Sequence, residues 1–497
     1  MAYSHGNYDG PNGIHGVPLW RIGGYAMNNT ATNIYLMMIG YVAYYLTGFV
    51  GVGVVVAGSF SMFMRIWDGV TDPFIGLLVD KTNGKFGKNR PFMIIGNVIL
   101  LVTSYVMFHV THLLPEGFRF IFFILVSALY YIGYTFQCVV TKSAQTCITN
   151  DPKQRPLFSI FDGIYNLILF SGLQILVASG LAPKYGGLTS TGFFHELWII
   201  TAVLSAIFTA IAVISITPKD NSKYYGTGKA VKIGIKDYVD VIAHNRAIQM
   251  LVLSASTDKL GNQAKTSTAT VIMYGIVVGN YALSGAMTAF TSVFNVVLLI
   301  LGLGVLATRL GQRKAMLIGS WGSVIGNGAL IALWMFGDPT TFGMPGFEGF
   351  TGITFFTVAL LVLTVVTQGM QGISGNIVIP MTADCADYET YRSGKYVPGL
   401  MGTLFSFVDK IISSLAPMIA SICLAAIGFT TVMPDVSTPY TPQLKAVGVF
   451  LTYGVILIGS LVNVLALRFY PLTKEKMEEI QEEIAAIKAK NLAENAG

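Results

Sequence analysis

Arg65, Asp68 and Asp72 stand at i, i+3 and i+7 in the run MRIWDGVTDPFIGLLVDK, a spacing that puts all three on one face of a helix. The residues around them are apolar. Inside a bilayer each charge costs at least about 2.5–3.5 kcal/mol, so such groups usually face a cavity and mark an ion pathway. A mutual Arg65 to Asp68 pair would leave Asp72 over. Two carboxylates one turn apart against a single guanidinium make a net negative site suited to Na⁺ or H⁺. Tyr25, Asn29 and Asn33 repeat every four residues on an earlier segment, where amides and hydroxyls can bind ligand hydroxyls without charge or join helices to one another. Thr135, Cys138 and Lys142 also share a helical face. Lys142 either points into the space beside that cation, snorkels toward the membrane edge or pairs with Asp162 on the next helix. Gln371 and Asn376 are further candidate partners for ligand hydroxyls.

Helices must hold these residues in place. Of 497 residues, 53% are hydrophobic and 11% charged, against roughly 25% charged in soluble domains. Apolar runs near the ~20 residues that span a bilayer recur throughout. The sequence predicts an all-α membrane protein with about twelve helices, near 22–47, 51–80, 92–113, 119–147, 157–181, 190–216, 246–278, 283–307, 315–337, 350–380, 398–428 and 443–468. Basic residues crowd alternate connections, with Lys81, Lys85, Lys88 and Arg90 in one and Lys219, Lys223, Lys229, Lys232 and Lys236 in another. The opposite connections hold only Arg119, Lys184 and Lys445. The positive-inside rule then places both termini in the cytoplasm.

The predicted domains are a cytoplasmic segment at 1–21, a six-helix bundle at 22–216, a basic cytoplasmic loop with a short amphipathic helix at 217–245, and a second six-helix bundle at 246–468. Residues 469–497 form a C-terminal helix of mixed charge with an apolar stripe, read as a solvated tail near the inner surface. GLLVDKTNGKFGKNRP closes the second helix and GVLATRLGQRK closes the eighth, the same place in each half, so the two bundles read as pseudo-symmetric repeats. The first twenty residues lack the pattern of a removable signal peptide. Cys138, Cys147, Cys385 and Cys423 have no metal-ligand spacing and are expected as free thiols. The net charge of +6 follows from the topology, so no nucleic-acid partner is expected. The chain has no GxxxxGK[ST] loop, so energy must come from an ion gradient or from the substrate's own. No nucleophile and base stand at a plausible spacing, and neither an enzyme nor a cofactor is expected.

The segment 64–91 resembles the melibiose-carrier-like family of glycoside, pentoside and hexuronide symporters in the major facilitator superfamily. Further motifs follow in order along nearly the whole chain: YYLTGFVGVG at 44–53, GKNRP at 87–91, YTFQC at 134–138, NDPKQR at 150–155 and MTADCADYETY at 381–391. The resemblance implies that Asp68, Asp72 and Thr135 hold the coupling cation, and that Lys410, beside Asp409, lies near the cation and sugar sites. Gly76, Asp80, Lys88 and Arg90 resemble the superfamily's loop signature, which implies charges that pair across the two halves when the inner side is closed, as a conformational latch. The chain departs from the melibiose-carrier pattern where Cys138 replaces a sugar-binding aspartate and Lys142 a stacking tryptophan. Near Thr32 or Asn33 it lacks another such aspartate.

The implied function is import of a sugar or glycoside by symport with Na⁺ or H⁺, through alternating access. The cation in the pocket at Lys142 would favour an anionic sugar such as a hexuronide. The expected carrier is a multi-pass plasma-membrane protein in the lipid bilayer, functional as a monomer. The rival readings are a lysophospholipid carrier of the same superfamily, which would need an apolar lateral pocket, and an uncoupled facilitator or channel.

Overall fold

The computed structural model describes residues 8–9, 15–82, 84–149, 154–221, 224, 243–265, 267–301, 310–347, 350, 352–393, 407–480 and 482–483. The chain forms two compact units, Met1–Lys229 with Leu424–Thr438, and Ala230–Cys423 with Pro439–Gly497.

In the first unit, helix α1 covers Leu19–Ile39 and continues to Val50 through a π-helical turn at Leu46–Val50. Gly51, at φ 83°, breaks the run, because only glycine enters that region without strain. Helices α2 (Val54–Lys81), α3 (Arg90–Tyr105), α4 (Glu116–Ser143), α5 (Arg155–Ile175) and α6 (Thr191–Ile216) follow. α1 packs on α5 and α6, and α4 on α2 and α3. At the α3–α4 crossing an added Cβ on Gly96 would lie 3.0 Å from the Gly133 carbonyl oxygen, so small residues set this approach. The core gathers Tyr25, Met93, Phe136, Val140, Ile148 and Ile216.

In the second unit, α7 (Arg246–Ala264) leads into a π-helical stretch at Val271–Val277, and the chain then bends by 117° into α8 (Ala282–Leu301). Helices α9 (Gln312–Phe336), α10 (Phe355–Ser393), α11 (Phe407–Ala426) and α12 (Val455–Arg468) complete it. α9 packs on α10 and α12, and α7 on α12 and α10. Among the described residues nine helical runs are long and apolar enough to cross a membrane, or ten if the bent pair is one span. α2 and α7 are not among the nine; α2 carries Arg65, Asp68, Asp72 and Asp80, and α7 carries Asp258 and Lys259 with Gln249, Asn262 and Gln263. Large apolar side chains such as Phe74, Leu125 and Ile325 point outward, as lipid-facing residues must.

Two expectations need correction. α10 runs for 39 residues rather than ending near 380, because Met381, Cys385 and Ala386 form an apolar stripe that keeps packing in the core of the second unit. The C-terminal helix, α13 (residues 474–480), is not a solvated tail. Leu472 and Ile480 are 3% and 0% exposed, in one cluster with Met316, Cys385 and Tyr470, and Met477 packs on it. The predicted amphipathic helix within 217–243 lies mostly outside the described residues.

Candidate functional site

α2 turns Asp68 inward, with no exposed surface. The Thr135 hydroxyl of α4 donates to Asp68 Oδ1 at 2.8 Å, and Arg65 Nη1 lies 3.7 Å from Oδ2. The Thr71 hydroxyl sits 3.3 Å from that of Thr135. Arg65 also stacks over Tyr134, 5.6 Å from the ring centre. A buried carboxylate is thus framed by one cation and a pair of hydroxyl oxygens, and oxygen donors of this kind suit a hard cation. Asp72, one turn further along α2, is half-buried. Thr71 is a member of this cluster that the sequence reading missed; its position one residue before Asp72, on the face toward α4, was the available signal.

Tyr25, Asn29 and Asn33 are engaged with neighbouring helices. The Tyr25 hydroxyl donates to the Val140 carbonyl at 2.7 Å. Asn29 Nδ2 donates to Asp162 at 2.6 Å and Asn33 Nδ2 to Asn166 at 2.7 Å, so both amides tie α1 to α5. Asp162 therefore takes its hydrogen bond from Asn29. The pairing of Lys142 with Asp162 is not made: the Lys142 side chain is exposed and has no ion pair among the described residues. Cys138, one turn before it, is half-buried, as is Cys423, while Cys147 and Cys385 are buried; none of the four is in a disulfide.

In the second unit Gln371 is half-buried on α10, while the side chains of Asn376 and Asp80 lie outside the described residues. Lys410 is half-buried on α11. Its neighbour Asp409 is 6% exposed and forms an ion pair with Lys259 of α7, so a local Asp409 to Lys410 pair is not its partnership. This α7–α11 bridge was missed because its members are 150 residues apart.

The loop before α3 is anchored by Asp220. Asp220, 1% exposed, accepts from the backbone N–H groups of Lys88 at 3.2 Å and Arg90 at 3.0 Å, and from Arg90 Nε at 3.3 Å. Arg90 thus has a charge partner inside its own unit. Gly87 permits this cradle, since at φ 86° an added Cβ would lie 2.5 Å from the Asp220 carboxyl carbon. Gly76 meets nothing within 4 Å of an added Cβ.

Comparison with known proteins supplies the context for this geometry. The chain is 24% identical over 483 residues to a glucuronide carrier protein homolog of Escherichia coli (strain K12), covering 94% of this chain and 95% of that one. It is 21% identical over 481 residues to an isoprimeverose transporter of Lactiplantibacillus pentosus, covering 95% and 92%. Among solved structures, the nucleoside transporter NupG superposes with a TM-score of 0.58 at 12% identity, covering 90% of this chain and 98% of that one. That likeness shows the fold alone. The kinship with glycoside, pentoside and hexuronide symporters is borne out, the fold is that of the major facilitator superfamily, and the relatives are transporters rather than enzymes. With residues 22–474 matching its family model, the chain belongs to the MFS/sugar transport protein family and is an integral membrane sugar transporter.

Proposed function

We propose that this transporter imports a sugar or glycoside by symport with Na⁺ or H⁺, the cation binding at Asp68, Asp72 and Thr135. The observation that carries the reading is the fully buried Asp68 carboxylate, held by Thr135 at 2.8 Å with Arg65 3.7 Å away. A buried carboxylate at such a place is retained where a cation uses it. A relative over 133 residues, 30% identical, is named a putative glycoside/cation symporter, which supports cation coupling. Transport proceeds by alternating access, with bundles at 22–216 and 246–468 and with Gly76, Asp80, Lys88 and Arg90 as part of a latch. Both termini and the 217–245 loop face the cytoplasm of a plasma-membrane protein that works as a monomer.

For the substrate, the face formed by Cys138 and Lys142, with Tyr25, Asn29, Asn33, Gln371, Asn376 and Lys410 contributing polar contacts, favours a hexuronide. The exposed Lys142 ammonium, with no ion pair among the described residues, supports this, as does the glucuronide carrier relative. A charge-assisted bond to a carboxylate is worth about 1.5–3 kcal/mol, roughly ten- to a hundredfold in affinity. Counterflow in proteoliposomes with matched acidic and neutral glycosides tests it. A uronide preference that disappears in Lys142→Gln is expected. Equal affinity for acidic and neutral sugars in the unmodified carrier would leave a neutral glycoside or pentoside, a reading that the isoprimeverose relative favours.

A further inference from the structure

Asp258 on α7 is 5% exposed, and among the described residues its carboxyl group accepts no hydrogen bond and meets no cation. The adjacent Lys259 is engaged with Asp409 of α11. Lys265 stands seven residues further on, past the end of α7, and makes no ion pair with Asp258 among the described residues. Toward α10 the carboxyl group faces Gly375, where an added Cβ would lie 4.0 Å from Oδ2. From Phe355 to Ala383 α10 carries no charged residue, Asp384 being the first. Toward α12 the backbones are in direct contact: an added Cβ on Gly261 would lie 2.7 Å from Ile456 Cα, and one on Gly459 2.5 Å from the Thr257 oxygen. No layer of water fits there, and α12 has no charge before Arg468. α11 presents Asp409, which Lys259 holds, and Lys410.

A carboxylate ion buried without a donor or counter-ion is not maintained; the group takes a proton instead. We infer that Asp258 is a proton-binding site of the second unit, separate from Asp68 and Asp72, loaded and unloaded from the α7–α10 side, where Gly375 is exposed. The inference does not depend on which sugar is carried or on what binds Asp68.

Infrared spectroscopy of the full-length transporter in lipid, with protons as the only ligand varied, tests it. At neutral pH the unmodified protein should show the C=O stretch of a buried carboxylic acid, which converts to carboxylate bands as pH rises. Asp258→Asn should lose that band, and Asp258→Glu should keep it at a displaced frequency. Identical carboxylic-acid spectra for the unmodified protein and Asp258→Asn would overturn the assignment. If the Asn variant does not fold, failure of Asp258→Glu to displace any band would do the same.

Discussion

α2 of the first unit and α7 of the second carry the same residue types, a basic side chain within a turn of a carboxylate, yet their surroundings divide the chemistry differently. On α2 the carboxylate is the centre: Asp68 receives the Thr135 hydroxyl from α4 and keeps Arg65 of its own helix at 3.7 Å. On α7 the cation reaches away, Lys259 pairing with Asp409 of α11, while Asp258 faces a glycine. The neighbouring helix therefore decides what a charge in an apolar segment does. A hydroxyl partner leaves oxygen lone pairs for a cation, whereas an ammonium partner makes a closed structural pair.

The largest effect that would break this comparison lies in the second unit. Lys259→Ala leaves the buried Asp409 carboxylate without its partner and should cost about 3 kcal/mol, the low end for a broken buried pair because Lys259 itself is half-exposed. Lys259→Gln and Asp409→Asn together should recover part of that loss, read as the melting temperature in detergent. Additive losses would mean that the bridge is not a coupled pair.

A smaller effect sharpens the first unit. Thr135→Val removes the hydroxyl donor to Asp68 and should weaken cation binding by about 2 kcal/mol, roughly thirtyfold, while Thr135→Ser restores it. The cation dependence of uptake is the readout, and an unchanged dependence in Thr135→Val would remove Thr135 from the site.

The smallest effect concerns α13. Burial, with the charge of Asp387 adding to it and a hydrogen bond from Gln312 opposing, pushes the Asp384 carboxyl up to about 6. Asp384 lines a cavity of about 480 Å³ with Tyr470, Leu472 and Met477 beneath the C-terminal helix. A carboxyl whose folded value lies above its unfolded value of roughly 3.9 binds the extra proton in the folded state. Docking of α13 should therefore be strongest below about pH 4 and weaken as pH rises toward 6. Amide hydrogen exchange over 474–480, compared with Asp384→Asn at each pH, measures it; parallel pH profiles for the two proteins would contradict it.

Most helices were legible because apolar runs and Gly or Pro punctuation repeat along the chain, and Asp68 with Thr135 was legible through the resemblance. The extension of α10 was not, since MTADCADYETY mixes charges with Met381, Cys385 and Ala386, and only the fold shows that these three share a buried stripe. The stripe of α13 was visible, but nothing in the sequence named Met316 and Cys385 as its partners. Arg90 finds Asp220 130 residues away, and Lys259 finds Asp409 150 residues away. Side chains of these types offer no local cue to pairings at that distance.

The central claim, that the α2 carboxylates couple a cation to sugar movement, is tested most directly by radiolabelled sugar accumulation in proteoliposomes under imposed Na⁺ or H⁺ gradients, comparing the unmodified transporter with Asp72→Cys. One charge moved across 100 mV carries about 2.3 kcal/mol, enough for roughly 50-fold accumulation. One of the two gradients should drive accumulation in the unmodified protein. Asp72→Cys should lose it while retaining exchange of internal for external sugar. Undiminished accumulation by Asp72→Cys would contradict the account.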